Sequence, residues 1–402
     1  MAVLSTIRYE HLTPVQLDAF LAQLATGHRI RVRVFVLDAS ETTQREISDR
    51  VISGQVDFDS EREPDRSLQL DVLDPEYKLA IVDPASAVLG GLWAGSMLRV
   101  WYDVEVPSLS AWVSTAVFTG PVQTFSRDGV TVHVQCQGKE AFMQAPNHYD
   151  GALSHVEATK GGRTTRQALS ALLTNIGEPQ TLDWQGTSEK LDKDFDALRE
   201  FNQGEHSYLV LANKIIGPQH TFHFDGYGTP KVRLKKKDGV LDVTRYMLTT
   251  VSPSFDVSKV RNRARTVVSS KPPGTEIATI ESHEPFSPSN LGRSSVSRFI
   301  DADAAPRKYR KKADAASAAR AQLTRLTDVE VSLDILPIPF FNSGDMLQVV
   351  ETGGSKTTFP VTAFSFPLHT GDGMSLNYTR KLLDPKNVKA RFHRARIKHG
   401  RH

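Results

Sequence analysis

In the stretch SGQVDFDSEREPDRSLQLDVLDP, Ser53 to Pro75, five carboxylates fall at every second position: Asp57, Asp59, Glu61, Glu63 and Asp65. Two carboxylates flanking a bond serve glycoside hydrolysis as acid and base or nucleophile. Clustered carboxylates also hold hard cations such as calcium. The pattern suits neither chemistry. Asp57 and Asp59 alternate with Val56 and Phe58, which puts them on one face of a strand. Glu61, Glu63 and Asp65 surround Pro64, with Arg62 and Arg66 interleaved, and no glycine-centred calcium loop accompanies them. The stretch reads as a charged β-hairpin.

Other chemically capable residues are as poorly placed. His220 and His223, in QHTFHFD, point to opposite sides of a strand at spacing three and do not share a metal. His148 and His155 lie in loop sequence without a carboxylate motif. HExxH, GxSxG and the phosphate-cradling GxxxxGK[ST] are all missing, and Ser53 and Ser126 have no partner that would make either a nucleophile. The one cysteine, Cys136, lines up with Val130, Val132 and Val134 as a small core residue. The expectation is a protein without catalysis: no catalytic residue, no metal site and no cofactor. Two basic runs remain. Lys235, Lys236 and Lys237 precede Asp238-Gly239 and suit a solvated hairpin tip. Residues 386–402, KNVKARFHRARIKHGRH, are either a solvated tail or a contact for nucleic acid or an acidic partner.

The elements that position these residues follow from periodicity. Thr13-Pro14 opens a helix over 13–25 with Leu17, Phe20, Leu21 and Leu24 on one face. From His28 the period becomes two, in HRIRVRVFVLD, then around Val56 and Phe58, in LQLDV, and in MLRVWYDVEV. AVFTGPV is interrupted by Gly120-Pro121, and Asp128-Gly129 marks a hairpin into VTVHVQCQG. Thr164 and Gln167 form a capping box before a helix carrying Leu169, Leu172, Leu173 and Ile176. Helices are also predicted over 191–203 and 206–216. Strand patterns return from VEVSLDIL to MSLNYTRKLL, after an alanine-rich helix near 312–326. The fold class is α+β, mainly β, with antiparallel barrel or sandwich blocks around a small α/β module. The organisation is 1–27 as an N-terminal helical segment, 28–149 as a first β block, 150–254 as the module, 255–385 as a second β block, and 386–402 as a basic C-terminal tail.

Composition narrows the class. The chain has 402 residues and a formal net charge of +3, with acids and bases nearly balanced, so nothing general favours nucleic acid. A single cysteine excludes a disulfide framework. No window approaches the ~20 apolar residues of a membrane span, so no stable membrane insertion is expected. MAVLSTIRYEHLTP lacks a signal-peptide shape, which suits folding in a cytoplasm.

The segments SGQVDFDSEREPDRSLQLDVLDP, GSMLRVWYDV, VFTGPVQTFSRDG, VQCQGKEAFM, VRNRARTVVSS, FFNSGDMLQVV and FPLHTGDGMSLNYTRKLL together resemble the baseplate hub, or minor tail protein, of long-tailed (siphovirus-like) bacteriophages, especially the actinobacteriophage type. Gly344-Asp345, Pro367-Leu368 and Gly371 to Met374 stand where that family turns into its last strands. The resemblance implies two tail-tube-like β-barrel domains per chain. It implies a homotrimer that forms a pseudo-sixfold ring joining the tail tube to the tip. It also implies a location at the virion tail tip. The implied partners are the distal tail protein ring, the tape-measure protein and central tip or fibre proteins, with DNA passing through a channel without specific binding. Two competitors are a distal-tail or receptor-binding component that carries fibres or binds host surface glycan, with Trp93, Trp101, Trp112 and Trp184 as sugar platforms, and a cell-wall hydrolase.

Overall fold

The computed structural model describes residues 9, 12–59, 62, 64–79, 91–93, 96–144, 163–185, 188–191, 207–217, 220–234, 240–247, 252–253, 263–269, 275–282, 297–300, 329–342, 345–350, 356–369, 371–380 and 388–395. The chain divides into two compact units, one of 1–250 with 333–377, the other of 251–332 with 378–402.

In the first unit, helix α1 (Pro14–Leu24) begins at the predicted Thr-Pro. The Thr13 hydroxyl accepts from the Gln16 N–H while the Gln16 side chain accepts from the Thr13 N–H, satisfying two donors that a helix start leaves open. Leu17, Phe20 and Leu24 are buried, each contributing roughly 1.5–3 kcal/mol. Phe20 meets the ring of Tyr9 edge-on at 5.0 Å.

The strands β1 (Ile30–Leu37), β2 (Thr43–Glu46), β3 (Val51–Asp59), β4 (Arg66–Leu73), β5 (Met97–Val106), β6 (Ala111–Asp128) and β7 (Thr131–Gln137) follow the two-residue pattern. They lie in the order β3–β4–β7–β6–β5–β1–β2, with every ladder antiparallel. Leu98, Val100, Tyr102, Val104 and Val106 of β5 are all buried, as their shared parity requires.

Two details depart from expectation. Gly120-Pro121 does not break a strand: β6 runs straight through it and changes partner there, pairing with β5 up to Pro121 and with β7 from Val122. A Cβ at position 120 would sit 1.9 Å from the Gln137 carbonyl oxygen, so only glycine permits this approach. The handover is also where proline's missing N–H is tolerated. The Asp128-Gly129 turn forms, with Gly129 at φ 58°. Val130 then sits at the turn, 44% exposed, instead of joining the buried Val132, Val134 and Cys136.

After a helical turn, α2 (Ala141–Gln144), comes the α/β module: α3 (Thr165–Asn175), β8 (Asp183–Trp184), α4 (Tyr208–Ile216), β9 (His220–Phe224) and β10 (Pro230–Leu234). The predicted capping box of Thr164 and Gln167 is present. Leu169, Leu172 and Leu173 of α3 pack with Leu209, Ala212 and Ile216 of α4 and Phe222 and Val232 of the sheet β8–β10–β9. Nearly all of the helix predicted over 191–203 lies outside the described residues.

The C-terminal strands of this unit do not stand apart from the N-terminal sheet. After β11 (Val240–Asp242), and beyond β12 (Ser252–Pro253) to β16 (Val329–Ile335), come β17 (Met346–Val350), β18 (Lys356–Pro367) and β19 (Met374–Arg380). β17 pairs parallel with β11 and antiparallel with the first half of β18. The second half of β18, Ala363 to Pro367, pairs with β3, and Phe364 stacks on Phe58 at 5.0 Å.

In the second unit, β13 (Arg263–Ser269), β14 (Thr275–Ser282), β15 (Ser297–Ile300) and β20 (Val388–Ala395) form a sheet in the order β15–β13–β14–β20, with β13 and β15 parallel. β20 lies within the basic segment 386–402, where Val388, Ala390 and Phe392 alternate with Lys389, Arg391 and His393. The helix expected near 312–326 is outside the described residues. The fold is mainly β, as expected. Its sheets are mixed instead of wholly antiparallel, and none closes into a barrel among the described residues.

Candidate functional site

The carboxylates read as a charged hairpin behave as one. Asp57 accepts from Gln55 Nε2 at 2.7 Å and from Ser365 Oγ at 2.6 Å. Asp59 pairs with Arg62 at 3.0 Å, and its N–H donates to the Asp65 carbonyl at 2.7 Å, closing the connector. Glu61 and Glu63 lie outside the described residues, as do His148, His155 and Lys235 to Lys237. His220 is bound through Nδ1 to the Ile216 carbonyl and packs on Trp184, while His223 is buried on β9. Cys136 is buried, and burial pushes its thiol up. Among the described residues no group of three His, Cys, Asp or Glu is placed to hold a metal ion.

One constellation escaped the sequence. Ser53, Asp71 and His133 stand in a row across β3, β4 and β7: Ser53 Oγ donates to Asp71 Oδ2 at 2.7 Å, and Asp71 Oδ1 meets His133 Nδ1 at 2.7 Å. The order is wrong for nucleophilic catalysis, because the serine proton goes to the carboxylate and not to the imidazole. Ser126 faces His133 across the β6–β7 ladder, yet no hydrogen bond joins them among the described residues. The row lies on an open sheet face whose backbone N–H groups are spent on ladders, which leaves no oxyanion donor. Hydrogen bonds from Ser53 and then His133 hold the Asp71 carboxyl below its ordinary range.

That row is part of a broader surface. Outward positions of β3 carry Ser53, Gln55, Asp57 and Asp59, those of β4 carry Ser67, Gln69 and Asp71, and those of β7 carry His133, Gln135 and Gln137. No lysine or arginine is among them. Beneath lie Val56, Phe58, Leu68, Leu70, Val72, Val132 and Val134, all buried. The face is half-exposed and weakly acidic.

The other half of the sheet is its opposite. Outward on β1 are Arg31, Arg33 and Phe35, on β5 Arg99, Trp101, Asp103 and Glu105, and on β6 Trp112 and Ser114. Asp103 is fully buried beneath two guanidinium groups. It accepts from Arg31 Nε at 2.9 Å, and from Arg33 Nε at 2.7 Å and Nη2 at 3.0 Å. Burial alone would raise the Asp103 carboxyl, but the bonds from Arg33, Ser114 and Arg31 outweigh it and hold the carboxyl below its ordinary value. Arg31 lies over the Trp112 ring at 4.9 Å and Arg33 over Trp101 at 5.6 Å.

A buried charge cluster fastens this sheet to the α/β module. Lys139, 1% exposed, bonds Glu41, Glu178 at 2.7 Å and the Gly228 carbonyl at 3.0 Å. Glu41 also binds Arg99 at 2.5 Å and Gln180 at 2.7 Å. Burial pushes the Glu178 carboxyl up, against the charge of Lys139. Glu140, equally enclosed and shifted upward by burial, accepts the Phe224 N–H at 2.7 Å. Gly226 lets the module's turn reach β6, since a Cβ there would fall 2.0 Å from the Ala116 carbonyl. A cleft of about 350 Å³ opens beside this seam, lined by Arg66, Arg99, Gln180, Asp225, Tyr227 and Asn342 among others. Its ionic groups bind one another or the protein: Arg66 bonds Asn342 and the Val117 carbonyl, and Asp225 pairs with Lys231 at 2.8 Å. They form no nucleophile–base pair.

No protein-family model and no curated protein matches the sequence. Solved structures do match. The 43 kDa tail protein of prophage MuSo2 from Shewanella oneidensis aligns with a TM-score of 0.53 and 13% identity, covering 90% of this chain and 99% of that one. The fold is that of a tail protein. A tail protein from Neisseria meningitidis MC58 aligns over the same shares, with a TM-score of 0.50 and 12% identity. At such identities the likeness is one of architecture.

Proposed function

We propose that the chain is a structural, non-catalytic component of a phage tail, the baseplate hub at its tip. Three copies form a pseudo-sixfold ring, to which each contributes its β blocks, 28–149 and 255–385, with 150–254 between them. The observation that carries the proposal is the outward face of β3, β4 and β7. Its charged groups are Asp57, Asp59 and Asp71, with His133 beside Asp71, and none is a lysine or arginine. Turned toward a channel, that face repels phosphate and gives DNA nothing to hold. The tail-protein architecture supports the assignment.

In this role the protein binds the distal tail ring on one side and central tip or fibre proteins on the other. It surrounds the tape-measure protein and then DNA, and it resides at the tail tip after assembly in the host cytoplasm. Native mass measurement and negative-stain imaging of the purified chain test the proposal: trimers with a central opening are expected. A chain that stays monomeric at every concentration and binds no tail protein overturns it. Binding of surface glycan is less well supported, because Arg33, Arg31 and His220 already occupy Trp101, Trp112 and Trp184, leaving Trp93, 41% exposed, as the open ring.

A further inference from the structure

The face of β1, β5 and β6 is built unlike an ordinary solvated sheet. Arginines on a surface strand normally wave in water, and fixing one costs up to about 2 kcal/mol of rotamer entropy. Here that cost is met within the fold. Asp103, with no exposed side-chain surface, anchors Arg31 and Arg33 together, and the Trp112 and Trp101 rings support their guanidinium planes. Arg31 is nevertheless 51% exposed, and its Nη1 has no partner among the described residues. Arg29 continues the row, 80% exposed, touching Glu105 at 3.1 Å. Three guanidinium groups stand against Asp103, Glu105 and, within electrostatic reach of Arg33, Glu46, so the face carries little net charge, but Arg29 and Arg31 still present exposed guanidinium groups, that of Arg31 in a fixed plane.

We propose that this face is a docking surface for an acidic protein segment, whose carboxylates take up the outward N–H groups of Arg31 and Arg29 above the Trp112 ring. Arginine forks match carboxylates two bonds at a time, and arginine with tryptophan is the composition of interface hot spots. Nucleic acid fits less well. Affinity for a phosphate backbone grows with the number of phosphates neutralised, and two exposed guanidinium groups are too few. Single strands also need bare aromatic rings for stacking, and both rings here carry a guanidinium. The surface stands on its own geometry, whether or not the chain forms a ring.

The test titrates the full chain, at near-physiological salt, with a labelled short polyglutamate peptide, a neutral peptide of equal length and an oligothymidylate, following anisotropy. The peptide is expected to bind and the other two not. Arg31→Ala should weaken binding roughly tenfold, the size of one lost charged hydrogen bond. Arg31→Lys should lose part of that, and Arg166→Ala on the exposed start of α3 none. Arg29→Ala, at a side chain almost wholly in solvent, gives a second reading if Arg31→Ala alters folding. Equal binding of peptide and oligothymidylate overturns the proposal. So does equal loss in Arg31→Ala and Arg166→Ala, or a self-association of the chain that Arg31→Ala abolishes without any peptide.

Discussion

The two halves of the N-terminal sheet share a backbone plan and differ in how they handle charge. Over β3, β4 and β7 Asp57 is held by Ser365 and Gln55 and Asp71 by Ser53 and His133, and Asp71 keeps 39% of its side-chain surface exposed. Over β1, β5 and β6 the acid is sunk and two arginines close over it. A lone carboxylate on a wet face is soluble and energetically cheap, and it repels other anions. A carboxylate buried under guanidinium forks makes a rigid positive plane, at the cost of stability that depends on every member staying in place. One strand, β6, belongs to both halves, and the change of character falls where it changes partner.

The largest effect should come from Asp103→Ala. It leaves Arg31 and Arg33 without their anchor, and a loss of about 1.5–3 kcal/mol by denaturant unfolding is expected, the size of lost charged hydrogen bonds, since both guanidinium groups keep some solvent. If the loss is under about 1 kcal/mol, the contrast between the halves disappears. Next is Gly120→Ala, which drives a methyl into the Gln137 carbonyl and should cost about 1–3 kcal/mol or more, separating the two halves at their junction.

The pH dependence sharpens the comparison further. The Asp103 carboxyl is depressed in the folded state, so its contribution is complete above the ordinary value of 3.8 and is lost as pH falls through the lower folded value. The acid limb of the thermal unfolding curve should therefore be shallower in Asp103→Asn. Glu178 has the opposite sign: burial raises it, so its ionisation opposes folding as pH rises through the folded value, and Glu178→Gln should flatten that side. The smallest effect on folding is expected from Asp57→Lys, within about 0.5 kcal/mol. If the wet face lines a channel, the same change should make assembled rings retain DNA on a gel where the parent does not.

Much of this architecture was legible in the residue order. Thr13-Pro14 with Gln16, and Thr164 with Gln167, announce helix starts because a cap is satisfied within four residues. Alternation around Val56 and Phe58, and through β5 and β7, fixes which side chains go inward, because strand geometry admits only two faces. The misreadings share one cause. Gly120-Pro121 looks like a break because, locally, it is one, and only the approach of Gln137 makes glycine necessary there. Val130 fits the inward parity but falls on the turn. The basic segment reads as a tail by charge, while the alternation at Val388, Ala390 and Phe392 already carries a strand. Arg31 and Arg33 look like an ordinary polar face until Asp103, some seventy residues away, is found between them.

By itself the sequence determined the mainly β class, the capped helices, the inward faces of the strands and the lack of a recognisable catalytic motif, since each depends on neighbours within a few residues. The tertiary structure alone decided that β18 completes the sheet at β3, that Ser53, Asp71 and His133 form a row, that Lys139 is buried between Glu41 and Glu178, and that Arg31 and Arg33 share one carboxylate. Strand ladders use the same backbone groups whatever the residue type, so period two reveals which face is wet but not which strand lies alongside. That choice is made by packing and by the pairing of buried charges across long loops.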